Sequence, residues 1–544
     1  MTPEVSAAAE TGGPERAHPR FGPATPPAAA AALRWLLAPA DRLFDRIYGS
    51  RWNPLLQSGN LATLFLAVSI VSGLYLFLFY SISTPYASVA RIEEAIFLGS
   101  WVRAVHRLSA ELAMVALVLH LLRKLVQGHT YGPRFLAWTS GIFLLGALLL
   151  CGWTGLVMVW DAQALEIARQ GARLVDLLPI LSQPLARSFD GGEPIPSSFF
   201  FMNLFLHVAL PLGVAGLLWL HVSRIARPAW LPPAPIRRVA LGALAIAALF
   251  VSAGLAPEAD PFDLPGRVPL DLLYAFWLPV ARRVPAAVHL ALWLGLFVLL
   301  AAAPALWRTR TRIRPSRVDP DHCTGCESCF QDCPYEAIAM VPRTAGRARS
   351  TLVARVDPTR CVGCGICAAS CAPMGVGPSG LTGREQLATL RDLLASPRPS
   401  GREILVLACG NGIGAHPERL AAPGVRVRAG GCAGSVHTSV VEMALRGGFG
   451  GVFLLTCPTR DCLYREGPKW LAARVHDGHE AELQSRVDRR RVAIGAFSIS
   501  ELAAARRAIA DLAARVAPLE VAEAEHFDLI AACPRDDEPE AVGA

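Results

Sequence analysis

Lysine is nearly missing from this chain: Lys124 and Lys469 are the only two in 544 residues, so a formal net charge of +8 rests on arginine. Charge of either sign is sparse, at 18% of residues against 53% hydrophobic, a balance that points to a membrane protein with soluble appendages. No nucleic-acid motif is present and the arginines gather at the ends of apolar segments. The charge therefore reads as membrane topology, with no nucleic-acid partner. A catalytic triad, a phosphate-binding glycine loop and a nucleotide fingerprint are all lacking, so oxidation of a soluble substrate by this chain alone is not expected. Nickel-binding cysteine pairs are lacking too. Residues 1–31 are rich in alanine and proline without a compact apolar core and cleavage site. They read as a disordered segment, and no signal peptide is expected.

What is present is apolar length. Six segments are long enough to span, at roughly 59–81, 103–126, 136–159, 200–223, 236–256 and 285–307, and an amphipathic piece at Leu33–Tyr48 suits the interface. Basic residues flank alternate loops: Arg34, Arg42, Arg46 and Arg51; Arg123, Lys124 and Arg134; Arg224, Arg227, Arg237 and Arg238; and Arg308, Arg310, Arg312, Arg314 and Arg317. The remaining loops carry Glu93, Glu94, Asp190, Glu193, Glu258, Asp260 and Asp263. Positive charge stays inside, so both termini are predicted cytoplasmic, with loops 160–199 and 257–284 outside. The predicted architecture is multi-domain. An all-α transmembrane bundle of six helices (32–312) is followed by an α+β domain (318–375), a linker with a short helix (376–402), an α/β domain with a parallel sheet (403–517) and an acidic tail (518–544). The sheet strands are predicted at Ile404–Ala408, Val425–Arg428, Val452–Thr456 and Val492–Phe497.

Four histidines carry the chemistry of the bundle. His106 and His120 lie 14 apart on the second span, and His207 and His221 lie 14 apart on the fourth. Fourteen residues are just under four turns, roughly 21 Å, so each helix shows two imidazoles to nearly one side at two depths. A lone apolar-helix histidine is usually a satisfied polar residue, but two equal pairs suit two haems. Spans two and four run parallel, so His106 pairs with His207 near the outside and His120 with His221 near the cytoplasm. Bis-histidine ligation fills both axial positions and favours electron transfer. Gly59 and Gly73, and Gly141 and Gly155, repeat the interval of 14 on the flanking spans, where glycine admits a flat macrocycle or close helix packing. Arg103 and Arg123 each lie one turn from a histidine, placed for haem propionates or as interfacial arginines. His289, in the last span, reads as a buried structural residue.

In this order the residues over 40–307 resemble cytochrome b of the quinol–cytochrome c (bc and b6f) complexes, which implies that family's fold, paired b haems and quinone chemistry. Three places depart from it. The family's Pro-Glu-Trp-Tyr before the sixth span is here Pro269-Leu270-Asp271-Leu272, leaving Asp271 as the candidate quinone-site proton acceptor. The Trp160-Asp161 corner lacks Pro-Trp-Gly, and no histidine follows His221 on the inner side.

Of fourteen cysteines, twelve fall in metal-cluster arrangements, and such thiolates fit a reducing compartment. Cys323, Cys326, Cys329 and Cys333-Pro334 fit a bacterial ferredoxin run, and Cys361, Cys364, Cys367 and Cys371 form a second. Each run lends its fourth ligand to the other cluster. One 4Fe–4S cluster is assigned to Cys323, Cys326, Cys329 and Cys371, the other to Cys361, Cys364, Cys367 and Cys333, with structural zinc as the alternative. The pattern resembles two-cluster ferredoxins. Cys409, Cys432, Cys457 and Cys462 follow predicted strand ends, which converge on one sheet edge, and suit a 2Fe–2S centre or zinc. Segments 408–411, 431–434 and 456–467 resemble the delta (iron–sulfur) subunit of methyl-viologen-reducing hydrogenase. That resemblance implies a 2Fe–2S cluster and relay to a hydrogenase or a heterodisulfide-reductase-like flavoprotein. Cys151 and Cys533 read as bystanders.

The expectation is an electron-transfer subunit of a quinone-linked oxidoreductase in a prokaryotic cytoplasmic membrane. It would join a cytoplasmic flavoprotein, hydrogenase, heterodisulfide-reductase-like assembly or ferredoxin to quinone or to a periplasmic carrier or Rieske-type protein, in one copy or as a homodimer, with the partner loading the 2Fe–2S end. The rival reading is a membrane anchor and docking adaptor without a quinone site.

Overall fold

Backbone polar groups have no water to bond in a bilayer, so long apolar runs close their hydrogen bonds within helices. The computed structural model describes residues 28–49, 52–127, 130, 132–178, 184–189, 195–226, 229–261, 271–306, 314–344, 346, 350–395 and 398–519. Outside the described residues lie most of the predicted disordered segment, the tail with Cys533, Pro269 and Leu270, the flanking Arg51, Arg227, Arg308, Arg310 and Arg312, and the loop acids Asp190, Glu193 and Asp263.

The helical part runs α1 (Ala28–Tyr48), α2 (Ser58–Phe77), α3 (Pro85–Glu94), α4 (Gly99–Val126), α5 (Phe135–Val159), α6 (Ala162–Val175), α7 (Ser197–Trp219), α8 (Ala234–Phe250), α9 (Leu278–Ala281) and α10 (Ala286–Leu306). Among the described residues, five helical stretches are long and apolar enough to cross a membrane, those built on α2, α4, α5, α7 and α10. The predicted span at 236–256 is the shorter α8, of 17 residues. It gives way to extended Val251 and, further on, to Gly254 at φ +71°. Its length of about 26 Å is under the bilayer's apolar thickness. Val71, Phe143, Leu212 and Val298 stand exposed on outward faces, as lipid contact allows.

The predicted outside loop at 160–199 contains a helix, α6. Asp161 caps it, accepting from the Ala164 N–H at 2.9 Å, and its other oxygen accepts from the Ala256 N–H at 3.2 Å. Leu165, Ile167, Ala168 and Ala172 pack with Trp277 and Ala281 in one core. Glu166, Arg169 and Arg173 interrupt the apolar run, so no long stretch advertises this helix in the sequence.

The cysteine-dense segment forms β1 (Ser316–Val318), β2 (Ile338–Pro342), β3 (Leu352–Val356) and β4 (Val376–Pro378), with one-turn helices α11 (Ser328–Gln331) and α12 (Ile366–Ala369). β1 pairs with β4 and β2 with β3, both antiparallel. The segment predicted as a linker contains α13 (Gly383–Ala395), and it is no free tether. Leu390 is buried in the same core as Leu405 and Val441 of the last domain. That domain continues as β5 (Ile404–Cys409), β6 (Val425–Gly430), α14 (Thr438–Arg446), β7 (Gly451–Thr456), α15 (Gly467–His476), β8 (Val492–Ala496) and α16 (Leu502–Val516). Its strands lie in the order β6-β5-β7-β8, all parallel. β5 and β7 are buried at every position, as central strands covered on both faces must be.

A buried charge cluster joins the two cysteine domains. Arg474 donates to Asp332 at 3.0 Å and to Ser370 Oγ at 2.7 Å, and its other terminal nitrogen donates to the Gly434 carbonyl at 3.1 Å. Both charged side chains are fully buried, and His479 also meets Asp332, at 2.8 Å. Removing one partner strands the other charge without water. Asp332→Ala is expected to cost about 3–5 kcal/mol, read as a lower thermal midpoint of the soluble domains and faster proteolysis between them.

Candidate functional site

α2 and α4 pack together, as do α5 and α7, and this brings the histidines face to face across the bundle. The His106 and His207 rings lie 6.3 Å apart, centre to centre. Metal–imidazole bonds of about 2 Å on either side of one iron require such a separation. His120 and His221 line one cavity with Gly59, Gly141 and Arg123. The structure thus brings together both predicted pairs. The His120 pair lies on the side of the cysteine domains, whose Arg460 and Asp461 line the same cavity. His221 sits in a π-helical continuation of α7, Leu220–Ala226, a widened turn that recurs at functional sites.

Hydrogen bonds fix which ring nitrogen is free. His106 Nδ1 meets the Ser69 carbonyl at 2.9 Å, and His207 Nδ1 meets the Cys151 carbonyl at 3.0 Å. A carbonyl only accepts, so each Nδ1 carries the proton and each Nε2 keeps its lone pair for a metal. Hydroxyls add to this. Ser72 Oγ lies 3.1 Å from His106 Nδ1, Thr154 Oγ1 3.1 Å from His207 Nδ1 and Ser140 Oγ 2.8 Å from His221 Nδ1. Each hydroxyl donates to a carbonyl of its own helix, so it accepts from the imidazole. Ser72, Thr154 and Ser140 each precede one of the spaced glycines, and Ser58 precedes the fourth. Sequence reasoning passed over these residues, although a Ser/Thr-Gly dipeptide occurring four times at the histidine interval was the signal for them.

The glycines face the imidazoles one to one. A Cβ on Gly59 would lie 2.7 Å from His120 Nδ1, on Gly73 3.0 Å from His106 Cε1, on Gly155 2.7 Å from His207 Cε1, and on Gly141 3.8 Å from His221 Cε1. Gly59, Gly73 and Gly155 therefore make room for an imidazole ring, whereas Gly141 stands at ordinary contact distance from His221. Arg103 pairs with Glu93 and donates to the Gly254 carbonyl at 2.7 Å. Arg123 pairs with Asp41, while its buried Nε has no hydrogen-bond partner and suits a carboxylate in the cavity. Asp271 is buried beside α4. One oxygen accepts from Arg107 at 3.1 Å and the other from the N–H groups of Leu273 and Tyr274 at 2.9 and 2.7 Å. His289 stacks on Trp277 and accepts from Trp293 at 3.1 Å, a structural role.

In the ferredoxin-type domain the two runs interleave. Cys371 lies among Cys326 and Cys323, and Cys364 among Cys367, Cys333 and Cys361. Burial pushes the Cys329 and Cys371 thiols up, and that of Cys367 to about 12, which an unmetallated site keeps protonated. Backbone N–H groups of Ser316, Ala337 and Gly375 reach Cys361, Cys333 and Cys371 sulfurs at 3.3 Å, bonds that favour thiolate and tune a cluster. In the last domain the cysteine quartet is wholly buried. Hydrogen bonds from Cys457 hold Cys409 low, and those from Cys432 and Cys457 hold Cys462 low. A Cβ on Gly467 would stand 2.4 Å from Cys432 Sγ and 3.6 Å from Cys462 Sγ, so this glycine leaves space at the sulfurs. Among the described residues no three ligand-type side chains converge as one metal ion needs. Thiolates around a multi-iron cluster stand further apart.

Comparison with known proteins agrees with this layout. The family model "Cytochrome b/b6/petB" matches residues 45–228, "4Fe-4S dicluster domain" 322–375 and "Methyl-viologen-reducing hydrogenase, delta subunit" 414–520. Cytochrome b6 of Heliobacterium mobile is 31% identical over 171 residues, covering 31% of this chain and 80% of that protein. The chain belongs to the cytochrome b/b6 family. A menaquinol:cytochrome c reductase cytochrome b subunit of Geobacillus thermodenitrificans is 28% identical over 177 residues, 31% of this chain and 77% of that one. A solved structure titled hyperthermophilic respiratory complex III aligns at 21% identity with a TM-score of 0.36, over 46% of this chain and 74% of that chain. A cytochrome b domain implies haem and the dicluster domain implies iron–sulfur clusters, so the chain has a membrane electron-transfer role.

Within the cytochrome b domain the glycines differ in tolerance. Gly155→Ala or Gly59→Ala is expected to reduce the b-haem content of the chain, because a Cβ there collides with a histidine ring. Gly141→Ala, at ordinary contact distance, is expected to leave it unchanged. Pyridine haemochrome assays and reduced-minus-oxidised spectra check both.

Proposed function

We propose that the chain is the electron-transfer subunit of a quinone-linked membrane oxidoreductase, exchanging electrons between a cytoplasmic redox partner and the quinone pool or a periplasmic acceptor. The observation carrying this reading is the docking of two cysteine domains against one end of a bundle whose opposed imidazoles lie at two depths. His106 with His207, and His120 with His221, hold two b haems. Cys323, Cys326, Cys329 and Cys371, and Cys333, Cys361, Cys364 and Cys367, hold two 4Fe–4S clusters. Cys409, Cys432, Cys457 and Cys462 hold a 2Fe–2S cluster. Each of these groups, when bound, takes up and releases one electron at a time. The protein's own residues set the conditions: Nδ1 bonds orient the imidazoles, lipid-facing helices exclude water, and backbone N–H groups favour thiolate. The arginine distribution supports a cytoplasmic location for the cysteine domains. The partner class is a flavoprotein, hydrogenase or heterodisulfide-reductase-like subunit, because the last domain resembles a hydrogenase delta subunit.

Quinone enters the reading through the relative named a menaquinol:cytochrome c reductase subunit. Quinol oxidation releases protons, and Asp271 is the proposed acceptor. Menaquinol added to the purified oxidised protein is expected to reduce at least one haem, and Asp271→Asn to slow that reduction at least tenfold with the haem spectrum intact. Failure of quinol to reduce either haem would reject the quinone link.

The engagement of both Asp271 oxygens by Arg107 and backbone N–H groups favours a second reading, an adaptor without its own quinone site. Under that reading Asp271→Asn alters stability alone.

A further inference from the structure

Resting on the electron-transfer reading, we infer that the Thr459–Cys462 loop of the last domain completes the haem site of His120 and His221. Arg460 joins Arg123 on the haem carboxylates, and the cysteine quartet, rather than either ferredoxin-type group, is that haem's redox neighbour.

Three residues at the end of α4 and the start of α5 grip this one loop. Lys124 Nζ donates to the Arg460 carbonyl at 3.1 Å, and Gln127 donates to Asp461 Oδ1 at 2.9 Å. Arg134 donates to the Leu463 carbonyl at 3.0 Å and, through a terminal nitrogen, to the carbonyl of Cys462. Lys124 also pairs with Asp461 at 3.8 Å. The clamp thus ends on a cysteine of the quartet. Thr459, Arg460 and Asp461 line the cavity of the imidazole pair. There the buried Nε atoms of Arg123 and Arg460 both lack a hydrogen-bond partner, and Asp461 Oδ2 is no closer to Arg460 Nε than 3.7 Å. Two guanidinium side chains that line the space beside paired imidazoles match the two carboxylates that a haem carries.

Among the described residues, the ferredoxin-type domain meets the bundle at an exposed pair. Its Glu336 meets Arg224 at 3.9 Å with both side chains 64% exposed, a pair that water screens. Its firmer contacts run to the quartet domain. Arg465 stacks over Tyr335 at 4.3 Å and donates to the Pro334 carbonyl at 2.7 Å. A Cβ on Gly365 would lie 2.8 Å from Ser435 Cβ. Pro334 follows Cys333, Gly365 follows Cys364 and Ser435 lies three after Cys432, so the quartet packs directly against the second ferredoxin-type group. The far group contains Cys326, which is exposed. The order inferred from the clamp on Cys462 differs from the order along the chain, which made the quartet the terminal group loaded by a partner. In each transfer the quartet-held centre changes by one electron while the haem iron passes between ferric and ferrous. No bond forms or breaks and no proton moves.

Two measurements on the full-length protein test this. Arg460→Gln removes a positive charge beside the haem, so the midpoint potential of the His120/His221 haem is expected to fall while that of the other haem stays fixed. Arg490→Gln, at an exposed site of the same domain, is expected to move neither. An unchanged potential, or equal shifts of both haems, overturns the role of Arg460. The second measurement needs no variant. Oxidised protein is frozen and reduced radiolytically at liquid-nitrogen temperature, giving reduced clusters beside ferric haem, and compared with the dithionite-reduced state. The EPR signal of the quartet is expected to relax faster beside ferric haem, and to respond more than the 4Fe–4S signals do. A stronger response from a 4Fe–4S signal, or no quartet signal, overturns the order. Neither measurement uses quinol, so failure of the quinone link would leave both results standing.

Discussion

The constraint on which the rest depends is the fixed orientation of imidazoles inside a dry bundle. An unligated histidine in lipid is a costly polar group, and here each Nδ1 of His106, His207 and His221 is spent on a carbonyl or hydroxyl of the neighbouring helix. The direction of each ring is thereby set before any metal arrives, and Nε2 is left to it. The same helix that supplies the acceptor supplies the glycine that makes room. Ser72 and Gly73 serve His106, and Thr154 and Gly155 serve His207, while at His221 the hydroxyl of Ser140 acts beside a glycine at ordinary contact distance. Two functions, orientation and clearance, are packed into adjacent residues.

The soluble domains obey a different economy. The ferredoxin-type domain is small, and its core is assembled largely from cysteines and short strands. Cys329, Cys367 and Cys371 are themselves core residues beside Ile338 and Val376. Such a core leans on its metal and on its neighbour. The neighbour's contribution is concrete: Arg474, buried and charged, is tied to Asp332, Ser370 and Gly434 across the domain boundary. Burial pulls its guanidinium down while Asp332 opposes the shift. The two domains thereby act as one body, and α13, which reads as a linker, is part of that body's packing.

Much of this was legible in advance. The spans of α2, α4, α5, α7 and α10 follow from apolar length. The four strands of the last sheet were bounded to within two residues, because runs such as Ile404–Ala408 are short, branched and bracketed by Gly and Pro. Less legible was α6, whose apolar residues are spaced around Glu166 and Arg169 and gain meaning only against Trp277 and Ala281. The pairing of β1 with β4 was equally hidden. It joins segments about sixty residues apart that hold three residues each, too few for a periodic signal. Asp271 shows the same limit: its chemistry was readable from its type, but its partners, Arg107 and two backbone N–H groups, were not.

By itself the sequence determined the intervals: two histidines 14 apart on each of two spans, glycines at the same interval beside them, and cysteines in ferredoxin spacing. Those are local facts, because helical geometry converts spacing into direction without help from the rest of the chain. Tertiary structure alone decided adjacency between distant segments. That Arg134 would hold the carbonyl of Cys462, 328 residues away, depends on how a soluble domain seats on the end of a bundle. The surface complementarity responsible is spread over many side chains and leaves no period in the sequence. The candidate ligands were therefore written locally, and which distant segments meet them was set by packing.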